Sequence, residues 1–383
     1  MLKYFIAICV GIFILFTAWF LNLNDEEQTK PPINFQPDLR VVRFTYNDSL
    51  VMSFTFSQFT DYTTNQSLIP NRLAEVEAQV SVPPVNAFMQ LEGDEFTITE
   101  GVAGRTPNMQ DAAEQLFTIL TSQQSGTVVL QMQDTTPAFT AKHFEGAKSL
   151  LGKFSTDYTG GEEIARSINI RLAAAHINNT VVYPGEVFST RDRVGPVVPE
   201  RGYAISNVIM DGRLVEDYGG GICQVASTLY NAVLYAELHI TERANHSLKV
   251  YYLDFGFDAA IAGDYMDLKF KNNLEYPVLV VATAQNGILE VKIYGHETRP
   301  PNRTLAFVSE RVEVIPPQPE RVLVDENLPA GHVLINTQPQ DGFKYELFRV
   351  VFMDGEQVER ERVNISIYRP VQGVVTRGPD IIE

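Results

Sequence analysis

From Leu238 to Gly295 the apolar residues fall on every second position, through LHITER, HSLKVYYL, MDLKFKNN, YPVLVVATA and ILEVKIYG. A two-residue period belongs to strands that bury one face. Immediately upstream, ICQVASTLYNAVLYAE carries Ile222, Val225, Ala226, Leu229, Val233 and Ala236 at helical spacing. A helix that passes directly into a run of short alternating segments predicts helices packed on an antiparallel sheet, an α+β arrangement. A second helix is predicted in GGEEIARSINIRLAAAHINNT, with Ile164, Ile168, Leu172 and Ala175 on its buried face and Glu162 and Glu163 in its first turn. Acidic residues there suit the positive end of the helix dipole.

The flanks differ from this middle region. Val41 to Phe59 alternates around an Asn47-Asp48-Ser49 turn, and Leu73 to Gln79 has the pattern of a short helix. Val82 to Lys142 reads as hairpin, helix (Ala112, Leu116, Ile119 and Leu120 as its stripe) and strand. Arg303 to Pro379 has charged strands, a Met353-Asp354-Gly355 turn and no long apolar helix, the pattern of an elongated all-β module. The expected organisation is therefore α+β multidomain: an anchor helix in 1–24, a Pro-containing linker in 25–40, a small α+β module in 41–150, a helix-plus-antiparallel-sheet module in 151–298 and an all-β module in 299–383.

Tyr4 to Leu21 is uncharged and long enough for a short membrane span. Lys3 is the only basic residue before it, while Asp25, Glu26 and Glu27 follow it, and no small-residue cleavage site is present. Positive-inside reasoning then predicts a single-pass cell-membrane protein with a cytoplasmic N-terminus and an extracytoplasmic bulk. A net charge of −17 argues against unaided nucleic-acid binding. There are two cysteines, and Cys9 lies in the apolar run. No disulfide framework and no Cys-rich metal site follow from that count.

The exported thiol, Cys223, follows Gly219-Gly220-Gly221 and stands second in the expected helix. Unpaired N–H groups and the dipole at a helix start favour a thiolate. The glycines lack the Lys and Ser/Thr of a phosphate-binding loop, so no nucleotide cofactor is expected. His246 is within reach as a base. The helix climbs roughly 22 Å, and residues 237–246 can return up to roughly 33 Å when extended. Asp258 or Asp267 could orient the imidazole. A Cys, His, Asp order, with the thiol on a helix and its partners on a neighbouring sheet, is that of transglutaminase-like enzymes, an analogy at the level of fold. The competing reading makes Cys223 a small buried hydrophobe, the glycines a packing turn, and His176, His239 and His246 structural.

The stretches FSTDYTGG, ARSINIRLAAAHINNTVVYPGEVFS, VGPVVPERGYAISNVIMDG, YGGGICQVASTLYNAVLYAELHITERANHS, DAAI and DLKFKNNLEYPVLV together resemble the VanW family, over Phe154 to about Gly295. The family takes its name from an accessory protein of vancomycin-resistance clusters, which implies a bacterial cell-envelope role. ICQVAS departs from the threonine-rich stretch expected after the glutamine. NAFMQLEGDEFTITEG with VVLQMQDTTPAFTAKHF resembles the peptidoglycan-binding domain that often precedes this module. GHVLINTQPQDGFKYELFRVVFMDGEQVERERV resembles a G5 domain, which implies recognition of wall polymer or N-acetylglucosamine.

Two functions follow. One is a wall-binding protein that organises peptidoglycan. The other is a thiol enzyme on peptidoglycan stem peptides, with Cys223 as nucleophile, His246 as base, Asp258 as orienter, and Gly221 and Gln224 holding the oxyanion or the substrate.

Overall fold

The computed structural model describes residues 38–61, 66–159, 164–210 and 213–379. Five α-helices occur among them: α1 (Ile69–Val80), α2 (Met109–Ser122), α3 (Ile164–Ile177), α4 (Thr190–Val194) and α5 (Ile222–Tyr235). Strand outweighs helix, 44% against 21%, which corrects the α+β expectation to a mostly β protein. The excess strand has two sources. The C-terminal module uses strands of 12 to 13 residues, and the middle region adds ladders of three residues too short to leave a period in the sequence. The anchor call on Tyr4–Leu21 lies outside the described residues, and no described helix is long and apolar enough to cross a membrane.

The chain divides into two compact units. The smaller comprises, of the described residues, 38–61, 66–81 and 106–133. Here Ser49–Thr55 pairs antiparallel with Val41–Tyr46, which pairs parallel with Gly126–Val129. Helices α1 and α2 contribute Val76, Ala112 and Leu116 to a core built on Phe44, Phe54 and Phe59. The hairpin Phe88–Glu92/Glu95–Thr99 belongs to the larger unit, so residues 82–142 are shared between the two.

The larger unit is centred on a four-stranded antiparallel sheet in the order Ser149–Asp157, Ile288–Gly295, Val278–Gln285, Thr180–Val182. Helix α5 is buried on nearly every side, since Ile222 and every residue from Gln224 to Leu234 are inaccessible. A helix enclosed on nearly every side belongs in a core, and its apolar residues dominate the main cluster with Val280, Leu289, Val291 and Ile293 of the sheet. Helix α3 is rotated from the expected stripe. Ile164 and Ile168 are exposed, and the buried face is Asn169, Ile170, Ala173, Ala174 and Ile177. The reason is polar. Asn169 is drawn inside because its amide bonds Ala204 and the Gly220 carbonyl, at 2.8 to 3.0 Å.

Gly152 lets α5 approach the sheet. A Cβ there would lie 2.4 Å from both Ala232 O and Ala236 N, backbone atoms that cannot move aside. Gly152→Ala is expected to cost about 2 kcal/mol through forced separation, read as a lower urea midpoint with an unchanged slope.

C-terminal to this, Gly342–Met353 is the central strand between Arg303–Ile315 and Glu356–Tyr368. A smaller sheet orders Arg321–Val324, Val374–Arg377 and Val333–Thr337. The all-β expectation for this module holds. Glu237, just beyond α5, accepts from Arg299, Arg303 and Arg349, which ties the three-stranded ribbon to the helix end.

Candidate active site

Cys223 is the second residue of α5. The turn before it needs glycine for two physical reasons. Gly221 has φ +103°, and a Cβ on it would lie 2.8 Å from Ile170 Cγ1. The turn is closed by Ile222 N donating to Gly219 O and Gln224 N donating to Gly221 O. Cys223 itself is half-buried.

The polar face of α5 carries Cys223, Ser227 and Asn231, four residues apart, which places them in one row. That row is laced to the extended segment 257–261. The Cys223 thiol donates to Ile261 O at 3.4 Å. Ser227 Oγ donates to Ala259 O and accepts from Ala259 N, at 3.0 and 2.9 Å. Asn231 Nδ2 donates to Phe257 O at 2.7 Å. Asp258 lies within this segment, so the lacing fixes its carboxylate along the helix.

Asp258 is fully buried. Its Oδ2 accepts from both the backbone N–H and Nδ1 of His246, each at 2.7 Å. With Nδ1 so engaged, Nε2 is the ring nitrogen left for Cys223, and the imidazole lies close enough to the thiol for each to shift the other's titration. The structure therefore brings Cys223, His246 and Asp258 into one chain of contacts. His246 and Asp258 sit in irregular segments flanking an isolated Ala244–Ala260 bridge, not on the sheet strands expected for them. Asp267 is excluded as the orienter. Its carboxylate accepts from Ser189 Oγ and Arg191 N at the start of α4.

The electrostatics follow from these contacts. Burial opposes ionisation of the Cys223 thiol, but the hydrogen bond and charge of His246 outweigh it and hold the thiol below its usual 9.0. Burial likewise opposes protonation of His246. Hydrogen bonds first to Asp258 and then to Cys223 overcome it and push the imidazole up to about 10. Asp258 resists the burial penalty through His246, Arg243 and Tyr368 and stays below the usual carboxylate range. The contacts thus favour a thiolate beside an imidazolium, the reactive form of a cysteine nucleophile.

Gln224 does not serve as an oxyanion donor. Its side chain is fully buried, and both Nε2 hydrogens are taken, by Thr156 Oγ1 and Asp157 O at 2.9 Å each. Its Oε1 accepts from Arg166 Nη2 at 2.6 Å. Gln224 thus positions Arg166, and Gly221 shapes the turn.

Several site residues escaped sequence reasoning. Arg166 Nη1 is buried without a hydrogen-bond partner, and its guanidinium lies over the Tyr251 ring at 5.6 Å. The Tyr252 hydroxyl lies beside Ser227. Burial first and then the negative charge of Cys223 keep this phenol protonated well past its usual range. Arg243 braces Asp258, donating from Nε to its carbonyl at 2.8 Å and from Nη2 to Oδ1 at 3.3 Å. The signal left unused is the Cys223–Ser227–Asn231 row, small polar residues four apart within a run of apolar ones. Arg166, Arg243 and the tyrosines are marked by no spacing.

Residues 165–294 match the family described as VanW like protein, and residues 308–380 match the G5 domain. The Bacillus subtilis (strain 168) protein YoaR is 28% identical over 310 residues, covering 81% of this chain and 96% of its own length. The vancomycin B-type resistance protein VanW of Enterococcus faecalis (strain ATCC 700802 / V583) is 30% identical over 112 residues. That match spans 28% of this chain and 41% of the relative. A solved IgA1 protease G5 domain aligns with 21% of this chain and 94% of its own, at 26% identity and a TM-score of 0.16. The Cys223–His246–Asp258 constellation falls within the first matched span, and most of the long C-terminal ribbon within the second, so this chain carries a VanW-like domain over residues 165–294 and a G5 domain over residues 308–380.

Proposed function

We propose that this protein works outside the cytoplasm at the bacterial cell wall, and that its VanW-like module is a thiol acyl enzyme acting on amide bonds of peptidoglycan stem peptides. The observation that carries the reading is the continuous contact from a half-buried thiol through His246 to a fully buried carboxylate. A cysteine kept only for packing needs no ionised imidazole and no braced acid beside it.

The chemistry runs in two halves. The Cys223 thiolate attacks the amide carbonyl carbon, forming the C–S bond and a tetrahedral oxyanion. The N–H of Cys223, in the first helical turn where intrahelical acceptors are lacking, is the donor placed to hold that oxyanion. His246 passes its Nε2 proton to the departing nitrogen as the C–N bond breaks, leaving a thioester. Water or an amine then adds to the thioester, His246 takes its proton, and collapse of the intermediate breaks the C–S bond and restores the thiolate. Water as acceptor makes the enzyme a hydrolase, and an amine makes it a transferase. The unpaired Nη1 of Arg166, held in place through Gln224, is a donor available to a substrate oxygen.

A second reading is a wall-binding protein without turnover, favoured by the G5 match. Incubation with purified muropeptides distinguishes them. The expected result is a covalent adduct on the peptide containing Cys223, with the mass of the muropeptide less the released amine. Retention on sacculi with neither adduct nor product would leave only the binding reading.

A further inference from the structure

We infer that Tyr368, at the end of strand Glu356–Tyr368, is a positioning residue of the thiol site, so that the G5 domain is a working part of that site as well as a wall-directed module. The inference rests on the reading of Cys223, His246 and Asp258 as one reactive unit.

The Asp258 carboxylate has two oxygens, and Oδ2 is committed to His246. Its orientation therefore depends on what holds Oδ1. Tyr368 OH donates to Oδ1 at 2.6 Å, closer than Arg243 Nη2 at 3.3 Å. The direction of that bond is set, because the same hydroxyl accepts the Gly256 N–H at 2.7 Å and has a single proton to give. The phenol is 3% exposed, with its ring edge-on to Phe255 at 4.9 Å.

Tyr368 does not act alone. Side chains two residues apart on a strand share a face, and Asn364, Ser366 and Tyr368 form such a row. Asn364 Nδ2 donates to Tyr230 OH on α5 at 2.7 Å and to Gly256 O at 3.0 Å. Ser366 Oγ accepts from Arg243 Nη1 at 2.8 Å, holding the arginine that braces the same carboxylate. One strand face of the G5 span thus grips the helix of the nucleophile, the arginine and the acid. A carboxylate freed at Oδ1 could rotate away from the imidazole.

The test uses the full chain and the pH dependence of Cys223 alkylation by iodoacetamide, which needs no substrate. Tyr368→Phe keeps the ring and removes the hydroxyl. The alkylation midpoint is expected to move up toward 9.0, and the rate at pH 7 to fall about 3- to 10-fold, the scale of one net hydrogen bond, since the effect reaches the thiol only through Asp258 and His246. Arg360→Gln, on the same strand in an exposed pair with Glu310, is expected to leave the profile unchanged. Ser366→Ala, a milder change, is expected to move it in the same direction as Tyr368→Phe and keeps the test available should the latter fail to fold. Wild-type profiles in the folded variants would overturn the inference. A failure of the enzyme reading would show separately, as absence of adduct and product from a wild-type protein whose thiol still titrates low.

Discussion

Alanine at Cys223 or at His246 is expected to lower stem-peptide turnover by at least about 10³-fold, with the double variant no worse than the more damaged single one. The two groups form one ion pair, so removing either removes the reactive species. In Cys223→Ala the nucleophile is gone. In His246→Ala the thiol remains, but burial, which opposes its ionisation, is no longer countered by an adjacent imidazolium. The wild-type thiol should therefore alkylate with a midpoint below 9.0, and the His246→Ala thiol with a midpoint above it. Turnover of muropeptides, followed by separation of products, and iodoacetamide rates between pH 5 and 10 on the order of one reading per unit check both halves. Additive losses in the double variant would mean that the pair does not act as a unit.

Asp258→Asn is expected to cost about 3 to 5 kcal/mol of stability and to remove most thiol reactivity. The carboxylate is fully buried, and the Arg243 side chain that faces it is only 6% exposed, so the amide leaves a buried guanidinium unpaired. It also withdraws the charge that keeps His246 protonated. The pH dependence has a definite sign. Burial lowers the His246 pKa, but Asp258 and Cys223 raise the folded value to about 10 from 6.5. Its stabilising contribution is therefore complete below 6.5 and lost as pH rises through about 10. Asp258 is depressed despite burial, so its contribution is present above 3.8 and lost as pH falls through the lower folded value. Wild-type stability should fall along both limbs, whereas Asp258→Asn should start lower and vary less. Denaturant midpoints measured across the range would show it, and parallel wild-type and variant curves would sink the account.

The periodicities that exposed α2 and α5 were legible because each helix presents apolar residues at a spacing that no strand satisfies. Helix α3 was placed correctly and its buried face was not, because a buried asparagine outweighed two isoleucines. Burial of an amide with all its hydrogen bonds made costs little, and no apolar pattern registers it. Asp258 and Asp267 were equivalent by position. Backbone bonds from the α5 row separated them, placing one carboxylate on His246 and the other at the start of α4.

Gln224 and Tyr368 mark the same boundary from opposite sides. Gln224 adjoins the thiol in the chain, yet its amide faces Thr156 and Asp157 and is spent there. Tyr368 lies 110 residues beyond Asp258 and touches it. The linear order of residues was enough to single out Cys223, an imidazole within its reach and the order of the VanW-like and G5 spans, because chain length and helical rise bound how far segments can travel. Which carboxylate serves, which donors remain free and which distant strand holds the acid depended on the packed molecule, because a hydrogen bond requires atoms within about 3 Å in a suitable direction, and proximity on that scale arises from folding.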